Sequence, residues 1–126
     1  MGNMAKQKGK RGEIEASTLL GLLLGKSNAG ADQVFVDVQA NNADIISLAG
    51  LSIEVKRQET LALGTWWRQA LRQAEASGTI PVLMYRQNRR AWRFCLPAYL
   101  LVVEAEGYIE MDVAVFGVWL NKWVTK

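Results

Sequence analysis

The distribution of hydrophobic positions predicts helices and strands in alternation along the chain. Residues 11–25 carry apolar side chains at helical spacing and end at a glycine, a common residue just past a helix. Further on, short apolar runs bounded by Gly, Asn and Ala are typical of strands. The predicted strands cover residues 33–38, 44–48, 51–57, 80–85 and 91–95. Ala49-Gly50 is short enough to join the second and third strands as an antiparallel hairpin.

Two further helices are predicted in the second half of the chain. One covers about residues 65–77 and ends at Gly78, and the other begins after Asp112, whose side chain can cap it. The last helix carries an apolar stripe at positions i, i+3, i+4 and i+7, formed by Phe116, Trp119, Leu120 and Trp123. Such a stripe usually packs into a core, whereas a partly exposed stripe would instead be a dimer surface.

Together these elements predict an α/β fold in a single domain over residues 1–126. A central mixed five-stranded sheet is expected, flanked by helices. Between the fifth strand and the last helix, residues 97–103 are predicted as a short helical turn and residues 108–111 as a short strand. Residues 1–10 are polar and contain glycine, and we predict that they form a flexible basic arm.

Positive charge is concentrated in two segments. The net charge is only +3, from fifteen Lys and Arg against twelve Asp and Glu. Residues 1–12 nevertheless contain four basic residues and no acidic one, and residues 86–93 contain four arginines. This distribution indicates one basic surface, which suits a nucleic acid backbone. Ordinary solubilising charge is the alternative.

The residue types that are rare or missing exclude several kinds of site. Histidine is absent, which removes His-based acid–base catalysis and nearly all zinc sites. Cys95 is the only cysteine, so no internal disulfide can form and a reducing cytoplasm is the expected compartment. The apolar run at residues 19–24 is too short to span a bilayer, and neither a membrane segment nor a signal peptide is expected. Catalysis would therefore use carboxylates, lysine and a hard metal ion, without an organic cofactor.

Glu54-Val55-Lys56 is the strongest candidate for catalytic chemistry. Because side chains alternate between the faces of a strand, Glu54 and Lys56 would point the same way, roughly 7 Å apart. Asp44 lies ten residues before Glu54, at the start of the preceding predicted strand. Oxygen ligands from the two carboxylates suit Mg²⁺, and the lysine can stabilise charge that develops on a phosphate. The competing interpretation is the solvated face of a half-buried sheet.

Four segments carry a resemblance to a known family. They are Lys8-Gly9-Lys10-Arg11-Gly12-Glu13, Asp44-Ile45-Ile46, Ile53-Glu54-Val55-Lys56, and Gly78 to Leu83 leading to Trp92-Arg93-Phe94. In this order and spacing they resemble the archaeal-type Holliday junction resolvases and their phage and viral relatives, within the PD-(D/E)xK nuclease superfamily. The resemblance spans about residues 6–95. One departure is Ala43, which precedes Asp44 where the family usually has proline.

The resemblance implies a restriction-endonuclease-like core and specific residue roles. Glu13, Asp44 and Glu54 would surround Mg²⁺, for which Mn²⁺ is expected to substitute, and Lys56 would be the catalytic lysine. Many relatives carry an assisting glutamine on the helix after this strand. Among the glutamines there, Gln69 is our first choice and Gln73 our second.

Several neighbouring residues offer alternatives. Asp37 is a rival to Asp44, but it lies inside an apolar strand. Glu15 points about 200° around the helix from Glu13, so both cannot address one site. Of the two rings in Trp66-Trp67, one is expected in the core and the other against DNA or a partner subunit, although a core position is favoured.

The resemblance further implies a structure-selective endonuclease that resolves four-way DNA junctions by paired symmetric nicks. Two such nicks require two sites, so a homodimer in the cytoplasm of a prokaryotic cell or virus-infected host is expected. The alternatives are a flap, nicking or recombination nuclease of the same superfamily, or a nucleic-acid-binding module without turnover. Candidate DNA contacts are Lys6, Lys8, Lys10, Arg11, Ser17, Arg57, Arg68, Arg72, Arg86, Arg89 and Arg90.

Overall fold

A computed structural model describes residues 2–24, 35–36 and 45–125, and of these it describes only the backbone for 2–11, 13 and 35–36. The helices found there are α1 (Gly2–Leu23), α2 (Leu63–Ser77), α3 (Val113–Val124) and a 3-10 turn (Ala98–Leu100). None of these helices is long and apolar enough to cross a bilayer. As predicted, Asp112 caps α3, because its carboxylate accepts a hydrogen bond from the Val115 amide at 2.9 Å.

Six strands form one mixed sheet within the described residues, in the order β1-β2-β3-β4-β5-β6. They are β1 (Phe35–Val36), β2 (Ile45–Leu48), β3 (Leu51–Arg57), β4 (Ile80–Arg86), β5 (Arg93–Pro97) and β6 (Tyr108–Met111). β3 and β4 are parallel, and the other neighbouring strands are antiparallel. The predicted α/β fold with a mixed sheet flanked by helices is confirmed. The short strand predicted at residues 108–111 is present as β6 and forms one edge of the sheet.

The hairpin formed by β2 and β3 is confirmed, with Leu48 opposite Leu51. Its turn has a positive φ at both residues, 47° at Ala49 and 83° at Gly50. Positive φ at both positions suits the twist of a two-residue hairpin, but it is strained for an alanine. The Trp123 indole on α3 donates a hydrogen bond to the Ala49 carbonyl at 2.8 Å, which ties the turn to the last helix.

The sheet separates two groups of apolar side chains. On one face α1 and α3 cover the sheet, and the core there includes Leu20, Ile53 and Phe116. On the opposite face α2 packs through Trp67 against Leu83 and their neighbours. Because side chains alternate along a strand, the central strands contribute to both faces. The parallel pairing of β3 and β4 requires the crossover that α2 provides.

The clearest differences from the predicted boundaries are at α1 and at β5, which covers Arg93–Pro97 where residues 91–95 were predicted. α1 begins at Gly2, so its predicted start at Arg11 is wrong. The early segment contains Met, Ala, Lys and Gln, all good helix formers, so its polarity was a poor guide to its backbone. The flexibility assigned to residues 1–10 stays a prediction. Of the first predicted strand, the structure describes Phe35–Val36, and Asp37 lies outside the described residues.

The aromatic stripe of α3 packs against the sheet. Phe116 stacks on Phe94 with 4.0 Å between ring centroids and 5° between ring planes, and both side chains are fully buried. Trp119 and Trp123 are half-buried and stack on each other at 5.4 Å. Both tryptophans also pack against the core on this face. The core interpretation is therefore confirmed for Phe116 and Leu120, whereas a dimer surface at the partly exposed Trp119 and Trp123 stays a prediction.

Replacing Phe116 with alanine is expected to lower the free energy of unfolding by about 3–5 kcal/mol, because it removes a fully buried ring and leaves a cavity. Urea denaturation monitored by tryptophan fluorescence measures the change. Val118 is the matched control, since it lies on the same helix but is 61% exposed. Val118→Ala should change stability by less than about 0.5 kcal/mol. Equal losses in the two variants would contradict the role of Phe116 in joining α3 to the sheet.

Candidate active site

Glu54 and Lys56 lie side by side on β3, on the face that α2 covers. Ile53 and Val55 point to the other face and belong to the core beneath α1 and α3. The Lys56 ammonium is 3.6 Å from Glu54 Oε1. The two side chains are only 17% and 8% exposed, respectively, although both are charged. A charge that is removed from water needs a partner, and this ion pair provides one for each side chain.

The other two predicted carboxylates lie outside the described side chains. Asp44 is in a segment that the structure does not describe, but Ile45, the next residue, pairs directly with Glu54. The backbone of Glu13 lies in α1, and its side chain is not described. The preceding residue, Gly12, lies so close to β3 that an added Cβ would be 3.2 Å from Arg57 Cβ. A glycine therefore permits this helix to approach the end of the strand.

The chemistry of Glu54 fits a hard divalent cation, because carboxylate oxygens are the preferred ligands of Mg²⁺. Among the described side chains no group of three His, Cys, Asp or Glu residues is close enough to hold a metal ion. Asp44 and Glu13, the other two predicted ligands, are not among those side chains. Their roles as ligands stay predictions.

The glutamines of α2 differ in their surroundings. Gln69 and Gln73 are both half-buried. The Gln69 Oε1 atom is buried and has no hydrogen-bond partner among the described residues. A buried carbonyl oxygen without a donor is costly, which favours Gln69 over Gln73 as the residue that receives a bond from water or substrate. This assignment also stays a prediction.

Both rings of the tryptophan pair belong to the core, which confirms the favoured core position over contact of one ring with DNA or a partner subunit. Trp66 and Trp67 are 7% and 6% exposed. Trp66 packs at a tilt against Tyr85, with ring centroids 6.1 Å apart, and Trp67 packs similarly against Tyr108 at 5.3 Å. Consecutive helical residues can both be buried here because α2 packs against a broad sheet, and not against a single helix.

A polar network beside Lys56 was missed by the sequence analysis. Tyr85 on β4 is the register partner of Lys56, and its hydroxyl donates a hydrogen bond to Glu110 on β6. The Arg93 Nε atom lies 3.5 Å from the same carboxylate. Burial, followed by the hydrogen bond to Glu110, raises the pKa of Tyr85 above its ordinary value. Because side chains alternate along β4 and β5, Tyr85 and Arg93 lie on the same face as Lys56. This alternation can be read from the sequence.

The role of Glu15 was also missed. Its two carboxylate oxygens accept hydrogen bonds from Arg57 Nη1 at 2.9 Å and Arg86 Nη1 at 3.0 Å. Two of the predicted DNA contacts are therefore held by an acidic residue of α1. The expectation that Glu15 and Glu13 address different sites stays a prediction, because the side chain of Glu13 is not described. Contact of either arginine with DNA stays a prediction.

The basic loop between β4 and β5 is held in place by Glu59. The side-chain amide of Asn88 donates a hydrogen bond to Glu59 Oε1 at 2.8 Å, and the side-chain amide of Gln87 donates one to the backbone carbonyl of Glu59 at 3.0 Å. Arg89 and Arg90 are exposed on this loop, and Arg89 has a φ of 63°. The loop therefore presents two exposed guanidinium groups from an anchored backbone.

The remaining candidate DNA contacts are dispersed over α1 and α2. Arg68 and Arg72 are exposed on α2, and Arg68 donates to Thr65 Oγ1 at 3.4 Å. Ser17 is half-buried on α1. The other four belong to α1, but their side chains lie outside the described set; they are Lys6, Lys8, Lys10 and Arg11.

Comparisons with known proteins bear on the identity of this site. The sequence model of a family described as "Phage putative PDDEXK endonuclease" matches residues 4–118. Among solved structures, one match is Hjc from Archaeoglobus fulgidus, described as a Holliday junction resolvase from an archaeal hyperthermophile. It is 23% identical, each chain covers 88% of the other, and the TM-score is 0.48. No curated protein sequence matches the chain.

Cys95 lies on the same face of the sheet and is fully buried. Burial, with a smaller contribution from the nearby Glu110 charge, raises the pKa of the thiol from 9.0 to about 12. The thiol therefore stays protonated at neutral pH and is a poor nucleophile.

The raised pKa of Cys95 predicts a loss of stability at alkaline pH. Between pH 9 and about pH 12 the unfolded chain releases a thiol proton that the folded protein retains, so stability should fall as the pH rises through this range. In Cys95→Ala the decrease in the free energy of unfolding between pH 8 and pH 10 should be smaller than in the wild type. Urea titrations at both pH values measure it. Tyr85 acts in the same direction and remains in both proteins. Identical decreases would rule out a contribution from Cys95.

Proposed function

Because the chain belongs to the phage PDDEXK endonuclease family, we propose that it is a Mg²⁺-dependent endodeoxyribonuclease that resolves four-way DNA junctions by paired symmetric nicks. The observation that carries the enzymatic part is the Glu54–Lys56 pair, with 3.6 Å between ammonium and carboxylate on a sheltered strand face. A solvated strand face would leave such side chains exposed and independent. Here they are sheltered together, as a catalytic centre requires.

The proposed reaction is the hydrolysis of a DNA phosphodiester, in which each residue of the site has a separate role. Glu54 would hold Mg²⁺ together with Asp44 and Glu13, and Gln69 would assist by orienting water. A metal ion held by these carboxylates would supply positive charge beside the phosphate and would make a bound water more acidic. Lys56 stabilises the negative charge that develops on the phosphate, and its ammonium lies beside Glu54 on the sheltered face before the reaction begins. The water oxygen forms a bond to phosphorus as the bond to the 3′ oxygen breaks, so that the products are a 5′ phosphate and a 3′ hydroxyl.

The choice of a four-way junction as the substrate rests on the resemblance of the sequence motifs to those of the junction resolvases. Two symmetric nicks need two copies of a site that each chain carries once, so we propose a two-fold homodimer. We propose that recognition depends on DNA shape and backbone charge, because the described helices pack on a sheet and none resembles a groove-reading module. Arg89 and Arg90, exposed on their anchored loop, are suited to contact an arm of the junction.

Lys56→Ala is expected to reduce the rate of cleavage by at least ~10²-fold, because it removes one preorganised electrostatic group. The measurement uses labelled four-way junction, flap and linear duplex substrates in the presence of Mg²⁺, with nick positions read on a denaturing gel. Lys122→Ala is the matched control, since it deletes an exposed lysine from α3. Urea denaturation of both variants verifies that they are folded.

The products distinguish the possible functions. Paired nicks on the junction alone support a resolvase, and cleavage mainly of flaps assigns a different DNA substrate to the same centre. Binding of DNA without any Mg²⁺-dependent cleavage by the wild type refutes the enzymatic function. Full activity in folded Lys56→Ala refutes the assignment of the lysine.

A further inference from the structure

Glu15 joins two arginines at one end of the central strands. Arg57 is the last residue of β3 and Arg86 is the last residue of β4, and the two are register partners. Each oxygen of the Glu15 carboxylate accepts from one guanidinium, at 2.9 and 3.0 Å. All three side chains are about one-quarter to one-third exposed, so the cluster lies at the surface of the protein.

The two arginines are fixed from several directions. Arg86 donates its Nε hydrogen to the Arg90 carbonyl at 2.9 Å, which connects it to the basic loop. Arg57 lies against α1, where Gly12 leaves room for its Cβ. Without Glu15, two neighbouring guanidinium groups would repel each other and lose their common acceptor. The carboxylate therefore keeps two flexible cations in one place.

The cluster lies at the same end of β3 and β4 as the candidate active site, but its side chains are on the α1 face of the sheet, whereas that of Lys56 is on the α2 face. Arg57 immediately follows Lys56, and Arg86 immediately follows Tyr85, the register partner of Lys56. Each guanidinium has five N–H donors, and Glu15 engages one nitrogen of each. A pair of oriented guanidinium groups with further donors matches the geometry of a phosphate, which carries several acceptor oxygens.

We propose that Glu15 is a positioning residue that holds Arg57 and Arg86 so that they bind one backbone phosphate of the DNA strand that is cleaved. The proposal rests on the function proposed above, because it assumes that DNA is the substrate. In this role Glu15 does not contact DNA and takes no part in bond cleavage. It affects DNA binding only by positioning the two arginines.

The sign of one measurement separates this role from a general effect of charge. Glu15→Gln removes a negative charge, and in a simple electrostatic field this strengthens DNA binding. If Glu15 positions the arginines, the same substitution weakens binding, because it frees two side chains that must then be ordered by the DNA. The two expectations have opposite signs.

The experiment measures binding of labelled four-way junction and duplex without divalent metal, and cleavage with Mg²⁺, for the wild type and Glu15→Gln. We expect binding weaker by on the order of tenfold. The slope of log K against log salt should decrease in magnitude by about one, as for the loss of one phosphate contact. In cleavage assays KM should rise while kcat stays near that of the wild type, since Glu54 and Lys56 are unchanged.

Glu75→Gln is the matched control, because Glu75 is an exposed helical glutamate and its substitution changes the net charge equally. It should leave binding unchanged or slightly stronger. Glu15→Asp retains the charge on a shorter side chain. It should bind DNA more tightly than Glu15→Gln but less tightly than the wild type. In an Arg57→Ala background, Glu15→Gln should have a much smaller effect, because one of its two targets is gone.

Binding by Glu15→Gln as tight as or tighter than wild type, or a loss confined to kcat, would overturn the proposal. If Glu15→Gln fails to fold, Glu15→Asp replaces it and is measured both alone and together with Arg57→Ala. The proposal is then overturned if Glu15→Asp binds DNA as tightly as the wild type and Arg57→Ala weakens binding by the same factor in both proteins. Failure of the nuclease function gives a different result, namely that the wild type does not cleave DNA although Glu15→Gln weakens its binding.

Discussion

The placement of an ion pair on a central strand is the constraint on which the rest of the structure depends. Glu54 and Lys56 occupy a strand that has neighbours on both sides, so their charges are removed from most of the solvent. Such burial is tolerated only when each charge has a partner and the surroundings are fixed. The two-residue hairpin fixes one side of β3, and the parallel pairing with β4 fixes the other. That parallel pairing in turn requires α2, which shelters the same face.

The apolar pattern was sufficient to predict the fold because each strand has a different environment on its two faces. Ile53 and Val55 alternate with Glu54 and Lys56, and this alternation alone places the charged pair opposite the main core. The start of α1 was not predictable in this way, because residues 2–10 have the propensity of a helix but lack an apolar stripe. Propensity and pattern disagreed there, and the pattern was the wrong guide.

The parts of the site that the sequence did not reveal depend on contacts between distant segments. Glu15 meets Arg86 across 71 positions of the chain, and Tyr85 meets Glu110 across 25. Periodicity within one element can place a residue on a face, but it cannot specify which distant side chain will lie opposite. Trp66 and Trp67 illustrate a related limit, since the sequence left open whether the second ring lies in the core or contacts DNA or a partner subunit. A broad sheet buried both.

The hydrogen bond between Trp123 and Ala49 has a consequence for how the protein matures during synthesis. It joins the turn of the β2–β3 hairpin to a residue 74 positions later. The ribosome adds residues in order, so the hairpin that carries Glu54 and Lys56 emerges long before the helix that secures its strained turn. A nascent chain that has only reached β4 thus lacks this restraint on the turn. The turn that precedes the strand of Glu54 and Lys56 therefore gains this restraint only after α3 has been synthesised.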